Sequence, residues 1–224
     1  MKSVFVTGTD TAVGKTLVTL TLMQAWQERG LSVAGMKPVA AGVVAGIEEP
    51  RNDDALAILH AGSVAIPYEI VNPFCFTEPV APHIAAEEEN TPIDTATIKR
   101  AYEEICAKAD CVVVEGAGGW LVPTSSSHTM ADLVVELELS VLLVVGLRLG
   151  CLNHTLLTAE SIERSGCNLI GWIGCHLRTD FPKAEQNIIT LRDRLGAPCF
   201  GIFPFQENVV ANDMVKHLES LPFE

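Results

Sequence analysis

The stretch FVTGTDTAVGKT, residues 5–16, ends in an ammonium and a hydroxyl side by side, Lys15 and Thr16. After a glycine-rich turn, that pair suits a polyphosphate. The lysine reaches the outer phosphates and the hydroxyl ligates Mg²⁺. The usual spacing is G-x-x-x-x-G-K-[ST]; here five residues separate Gly8 from Gly14, and Thr9 stands in the usual first-glycine place. The plain alternative is a strand-to-helix turn with a solvated lysine. The context favours phosphate: an apolar run precedes the turn and a helical pattern follows Lys15. A helix N-terminus in that position presents backbone N–H groups to an anion.

Other polar residues stand where strands should end. GMKPVAAG carries Lys37, and Pro38 biases it away from helical geometry, so the lysine projects from extended chain. By itself it reads equally as a surface lysine. CVVVEGAGGW ends a strand at Glu115, with glycines behind it that allow close approach to the backbone. In RNDDALAIL, Asn52 reads as a helix N-cap with Asp53 and Asp54 in the first turn, where acidic residues are ordinary dipole partners. Nucleotide-bound Mg²⁺ takes one or two carboxylates with phosphate oxygens and water, so Asp54 and Glu115 beside Thr16 form a candidate set.

These residues need a scaffold that gathers strand ends. Continuous Val/Ile/Leu-rich runs at Ser3–Thr7, Ser32–Met36, Cys111–Glu115, Val141–Val145, Leu169–Ile173 and Phe200–Phe203 read as strands buried on both faces. Helical patterns lie between them at Lys15–Arg29, Asp54–His60, Asp94–Ala109, Met130–Leu137, Asn153–Ser165 and Lys183–Leu195. Gly30, Gly166 and Gly196 read as C-cap glycines. The alternation predicts an α/β, doubly wound, mainly parallel sheet with helices on both faces, and ligands beyond the carboxyl ends of the strands. A single domain is expected over residues 1–224. Residues 62–93, with five prolines, read as a long ordered loop.

Charge and composition narrow the partners. The net charge of −13 disfavours nucleic acid and anionic membranes. No apolar run approaches a membrane span, and the N-terminus does not read as a signal peptide. Seven cysteines without a CxxC fit a reduced, cytoplasmic protein.

Together, VTGTDTAVGKT, KPVAAG, RNDDALAI, VNPFCFTEPVAPHIAA, VVVEGAGGWLVP and LRLGCLNHTLLTAESI resemble the dethiobiotin synthetase family of the P-loop NTPase superfamily, in the family's order, from the N-terminus to about Ile173. The resemblance implies ATP- and Mg²⁺-dependent closure of a ureido ring from 7,8-diaminononanoate and CO₂ or bicarbonate. A carbamate forms, ATP phosphorylates it to a mixed anhydride, and the second amine closes the ring with release of phosphate. It implies Lys37 and Lys15 as catalytic cations, and Mg²⁺ on Thr16, Asp54 and Glu115. It further implies nucleotide contacts from Ala12, Val13, Gly14, Lys15, Thr16, Leu17, Glu115, Gly116, Ala117 and Gly118. Cys175, His176, Pro204, Phe205 and Gln206 would border the base. Thr11, Lys37, Ala41 and Gly118 would border the substrate. Gly150, Cys151 and Asn153 would serve its carboxylate across a homodimer interface.

Three places depart from the family pattern. Ala41 stands where serine is frequent, Cys175 where an asparagine reads the base, and the tail after GIFPF is dissimilar. This implies a less strict preference for ATP. His83 reads as lining the substrate pocket or packing in the proline-rich loop, Trp26 and Trp172 as core, and Trp120 as a cover for the substrate chain. Cys151 with His154 invites a nucleophile–base reading, but no third group orients the pair. The rival function is a partitioning-type ATPase switch. That would place a lysine five residues before Lys15, where this chain has Asp10.

Overall fold

The structure, a computed structural model, describes residues 2–44, 50–207 and 210–223. Its centre is a parallel sheet of β1 (Lys2–Gly8), β2 (Val33–Met36), β5 (Cys111–Glu115), β6 (Ser140–Leu147), β7 (Leu169–His176) and β8 (Cys199–Phe203). The spatial order is β2-β5-β1-β6-β7-β8. The chain winds to one side of β1 for β2 and β5, then to the other for the rest, so the winding reverses at β1. The strands are apolar through their middles, with any polar residues at or near their ends, because helices cover both faces; β5 is buried at every residue.

The helices are α1 (Lys15–Gln27), α2 (Asp53–Ala61), α3 (Tyr68–Val71), α4 (Pro82–Glu88), α5 (Thr95–Cys106), α6 (Met130–Glu136), α7 (Cys151–Arg164), α8 (Ala184–Arg194) and α9 (Ala211–Met214). Asn52 caps α2 through Ala55 N, as its position suggested. Gly30 and Gly166 are left-handed, at φ 78° and 77°, and close α1 and α7. Gly196 is not. α8 ends on Leu195 in extended geometry, so that glycine does not cap it in the left-handed manner. Trp26 and Trp172 are core residues, 1% and 0% exposed.

The proline-rich segment is more regular than a long loop. β4 (Phe74–Phe76) pairs in parallel with β3 (Val39–Ala41) as a second, two-stranded sheet. α3 precedes β4 and α4 follows the segment 77–81, starting on Pro82, a favoured first helical residue. These elements are too short for periodicity to reveal. Their effect is to fold residues 62–93 back against the exit of β2.

Candidate active site

A cavity of ≈830 Å³ opens beyond the carboxyl ends of β1, β2 and β5. Its floor is the turn between β1 and α1. Ala12 and Gly14 are both left-handed there, at φ 56° and 101°. Left-handed residues alternating with ordinary ones, as here on either side of Val13, curl successive backbone N–H groups inward into a concavity that suits an anion. No side chain caps α1 and no acidic residue occupies its first turn, so its leading N–H groups and the positive end of its dipole serve the cavity.

Lys15 lines the cavity although it is buried, with Nζ donating to the Asp10 carbonyl at 2.9 Å. Burial, with the nearby charge of Lys37 adding to it, pulls its ammonium down to about 8. An arriving anion would therefore be met by a poorly solvated cation, where attraction is strong.

Lys37 leaves the end of β2 and is buried. Its Nζ lies 2.6 Å from Glu115 Oε1 and 3.2 Å from Asp54 Oδ2, and donates to the Gly116 carbonyl at 3.3 Å. Burial alone would lower its pKa, but Glu115 and Asp54 outweigh burial and hold it above the ordinary lysine value. For Asp54, burial pushes upward, yet Lys37 and the Thr16 hydroxyl keep the carboxyl below its ordinary value. The Thr16 hydroxyl lies 2.9 Å from Asp54 Oδ1 and 3.0 Å from Glu115 Oε1. Four residues from two strand ends and two helix starts thus form one charged cluster.

That cluster tests the Mg²⁺ expectation. Glu115 is fully buried, and its second oxygen, Oε2, has no hydrogen-bond partner. An orphaned carboxylate oxygen beside a hydroxyl and a second carboxylate is a hard donor set, which fits Mg²⁺. Among the described residues no group of three or more His, Cys, Asp or Glu side chains gathers to hold a metal. Two carboxylates are what a nucleotide-linked Mg²⁺ ordinarily takes.

The cavity brings together Thr11, Ala12, Gly14, Lys15, Thr16, Leu17, Lys37, Ala41, Asp54, Glu115, Ala117 and Gly118, all singled out in the sequence. Val13 packs beneath the loop, and Gly116 enters only by accepting from Lys37. The opposite wall is Pro79, Val80, Ala81 and Pro82, with Ala40 and Val122. Those residues were missed. The run of prolines marked the segment, but only the pairing of β3 with β4 carries it to the rim.

Other expected residues lie outside this cavity's lining. Cys175 is not part of the lining. It lies buried behind the phosphate turn, so close that a Cβ on Gly14 would sit 3.0 Å from its Sγ. Burial pushes its thiol up to about 12. His176, half-buried, and Pro204, Phe205 and Gln206 lie outside the cavity lining. Gly150, Cys151 and Asn153 also lie outside it. Gly150 and Asn153 are exposed, but Cys151 is 2% exposed and packs in a second apolar cluster with Trp172, Ile188 and Leu191. Burial raises the Cys151 thiol, the opposite of what a nucleophile needs. Trp120 is 3% exposed and sits edge-to-face with Phe5, so it belongs to the core and does not cover a substrate. His83 is half-buried on α4 and is not part of the lining.

Comparison with known proteins bears on this arrangement. A family model described as an AAA domain matches residues 2–213. A curated relative from Cellvibrio japonicus, named ATP-dependent dethiobiotin synthetase BioD, is 44% identical over 221 residues, 99% of this chain and 97% of its own. One of the same name from Pseudescherichia vulneris is 42% identical, over 95% of this chain and 89% of its own. The alignments run past Ile173, so the tail shares in the likeness. Among solved structures, the MinD cell division protein of Aquifex aeolicus superposes with a TM-score of 0.58 at 16% identity, over 95% of this chain and 86% of its own. A ParA family ATPase from Chlorobium tepidum gives 0.55 at 14% identity, over 92% and 86%. Those two share the fold alone.

Proposed function

The chain belongs to the dethiobiotin synthetase family, and on that premise we propose that its cavity closes the ureido ring of dethiobiotin from 7,8-diaminononanoate, CO₂ and ATP. One amine adds to CO₂ and loses a proton, giving a carbamate. A carbamate oxygen attacks the terminal phosphorus of ATP and ADP departs, leaving a carbamic–phosphoric anhydride. The second amine attacks the carbonyl carbon, and inorganic phosphate leaves as the ring closes.

The observation that carries this reading is the Lys37 ammonium, buried against Glu115 and Asp54 within the same cavity as Lys15 and Thr16. Two anions, carbamate and triphosphate, must meet here. Fixed cations in a water-poor site lower that barrier without reorganising as charge moves. Lys15 and the N-terminus of α1 hold the phosphates. Lys37 lies at the junction with the carboxylates and stabilises the transferring phosphoryl group and the carbamate. Thr16, Asp54 and Glu115 would hold Mg²⁺, which would supply charge neutralisation for the phosphates. The apolar wall of Pro79, Val80 and Pro82 suits the alkyl chain of the diamine.

The active form in this reading is a homodimer in the cytoplasm. The start of α7 supports it. Leu149 is 93% exposed and Leu157 57% exposed, beside the exposed Gly150 and Asn153. A second copy covering this face would bring those backbone N–H groups to the carboxylate end of a substrate. Among the described residues, no helix is long and apolar enough to cross a membrane.

The test is phosphate release and dethiobiotin formation by the purified protein with diaminononanoate, bicarbonate, Mg²⁺ and ATP. Turnover should require all four. Lys37→Ala should cut kcat by about 10²–10³, the usual cost of losing one electrostatic stabiliser, with most ATP affinity retained. ATP hydrolysis that ignores the diamine and bicarbonate would favour a nucleotide switch instead.

A further inference from the structure

A hydrogen-bonded strap joins the two sides of the charged cluster, and two of its residues, Tyr68 and Asn72, lie outside the cavity lining. Asn72 follows α3 and is 3% exposed. Its Nδ2 donates to the Lys37 carbonyl at 2.6 Å and to the Phe74 carbonyl at 3.1 Å. Its Oδ1 accepts from the Tyr68 hydroxyl at 2.9 Å. The Tyr68 oxygen in turn accepts from the main-chain N–H of Asn52 at 2.8 Å. Asn52 is the residue that caps α2 and donates to the Gly42 carbonyl at 2.8 Å. The strap is doubled at one end, because the Lys37 N–H donates to the Val71 carbonyl at 2.8 Å.

What the strap ties together is specific. Lys37 carries the buried ammonium. α2, whose start is Asn52, carries Asp54 in its first turn. Lys37 reaches Asp54 through a four-carbon stem that has no stiffness of its own, so the register of that pair depends on where the two main chains sit. Both donors and one acceptor of the Asn72 amide are used, which holds it in one orientation. Burial pushes the Tyr68 phenol up to about 12, so its hydroxyl stays a donor across the neutral range.

We propose that Asn72 and Tyr68 are positioning residues for phosphoryl transfer, fixing the Lys37 main chain against the start of α2 so that its ammonium keeps register with Asp54 and the phosphate end of the cavity. This rests on the role given to Lys37 above. A reacting group displaced by about 1 Å can cost roughly a hundredfold in rate. Neither Tyr68 nor Asn72 lines the cavity, so loss of either side chain should leave ground-state binding largely alone.

The experiment measures kcat and both KM values of Tyr68→Phe and Asn72→Ala by phosphate release, per folded molecule. Tyr68→Phe keeps the ring over which the Arg51 guanidinium stacks at 4.5 Å, and removes only the hydroxyl. It should lower kcat roughly tenfold and Asn72→Ala roughly a hundredfold, with KM for ATP and diamine within about twofold. If Asn72→Ala does not fold, Tyr68→Phe decides by itself. A kcat within about twofold of the parent, or a loss that appears only as raised KM, overturns the proposal. Lys37→Ala is run alongside: normal turnover there would sink the reading of Lys37 and the strap with it, whereas a slow Lys37→Ala beside fast strap variants would sink the strap alone.

Discussion

The helices α1 and α7 begin alike. Each follows a strand of the central sheet and a left-handed glycine, Gly14 at φ 101° and Gly150 at φ 93°, with no side-chain cap and no acidic residue in the first turn. Each therefore offers bare N–H groups and a positive dipole end. Before α1 lie Lys15, Lys37, Asp54 and Glu115, gathered around a cavity. Before α7 lies the protein surface, with Leu149, Gly150 and Asn153 exposed. Arg148, next to that second start, pairs with Asp10 at the first turn and ties the two together. The Thr11 N–H holds Asp10 below its ordinary value against the upward pull of burial, with Arg148 adding to it. The contrast separates two properties. An uncapped helix start makes a seat for an anion, while convergence of other strand ends upon it makes a place for reaction. One start is completed within the chain. The other, in our reading, is completed by a second copy.

The sharpest way to break this comparison is to add the same methyl group to both glycines. In Gly14→Ala, a side chain is forced into left-handed backbone and its Cβ meets Cys175 Sγ at 3.0 Å. The turn must shift, and ATP affinity by calorimetry should fall at least about tenfold, equivalent to 1.4 kcal/mol. In Gly150→Ala no atom lies within 4 Å. Only the backbone strain of about 1–2 kcal/mol remains, with ATP affinity unchanged. Equal loss of ATP binding in both variants would erase the distinction.

A smaller effect concerns the second start. Leu149→Asp should convert a dimer to a monomer in sedimentation velocity while changing folding stability by no more than about 0.5 kcal/mol, as for other exposed positions. A parent protein that already sediments as a monomer would remove the partner from our account.

The smallest effect comes from a helix that is capped. At the start of α6, Thr129 and Asp132 form a reciprocal box, and the Thr129 hydroxyl and N–H hold the Asp132 carboxyl below its ordinary value. A carboxyl lowered in the folded state adds stability above its unfolded pKa and loses it as pH falls through the folded value. Asp132→Ala should therefore cost less than about 1 kcal/mol near neutrality, because solvent screens this exposed carboxylate, or up to about 2–4 °C in Tm. The difference from the parent should vanish in acid, once the parent's own carboxyl is neutral. A Tm gap that persists in strong acid would mean that the box does not act through its charge.

Much of this could be read before any coordinates. The strand runs and the helix patterns were legible because burial on two faces, or on one, imprints a period on residue choice. Lys15, Thr16, Lys37, Asp54 and Glu115 were legible because each stands at a predicted element end. The burial of Cys175 and Cys151 was not legible for one reason: their places in the chain told which strand or helix end they occupy, but not whether the side chain points to solvent or to core. Pro79–Pro82 and the strap of Tyr68 and Asn72 were missed because α3, β3 and β4 each span no more than four residues, too few to show periodicity.

By itself, the order of residues determined the parallel α/β architecture, the anion-binding turn and the identities of the charged groups, because these follow from local propensity, hydrophobic pattern and the chemistry of side chains. The tertiary structure decided that Lys37 lies between two carboxylates from separate elements, that Glu115 keeps one oxygen unpaired, and that Cys175 serves as a prop behind Gly14. Those are distances between residues far apart in the chain, and they depend on how twisted strands and short connections pack, which no spacing along the sequence encodes.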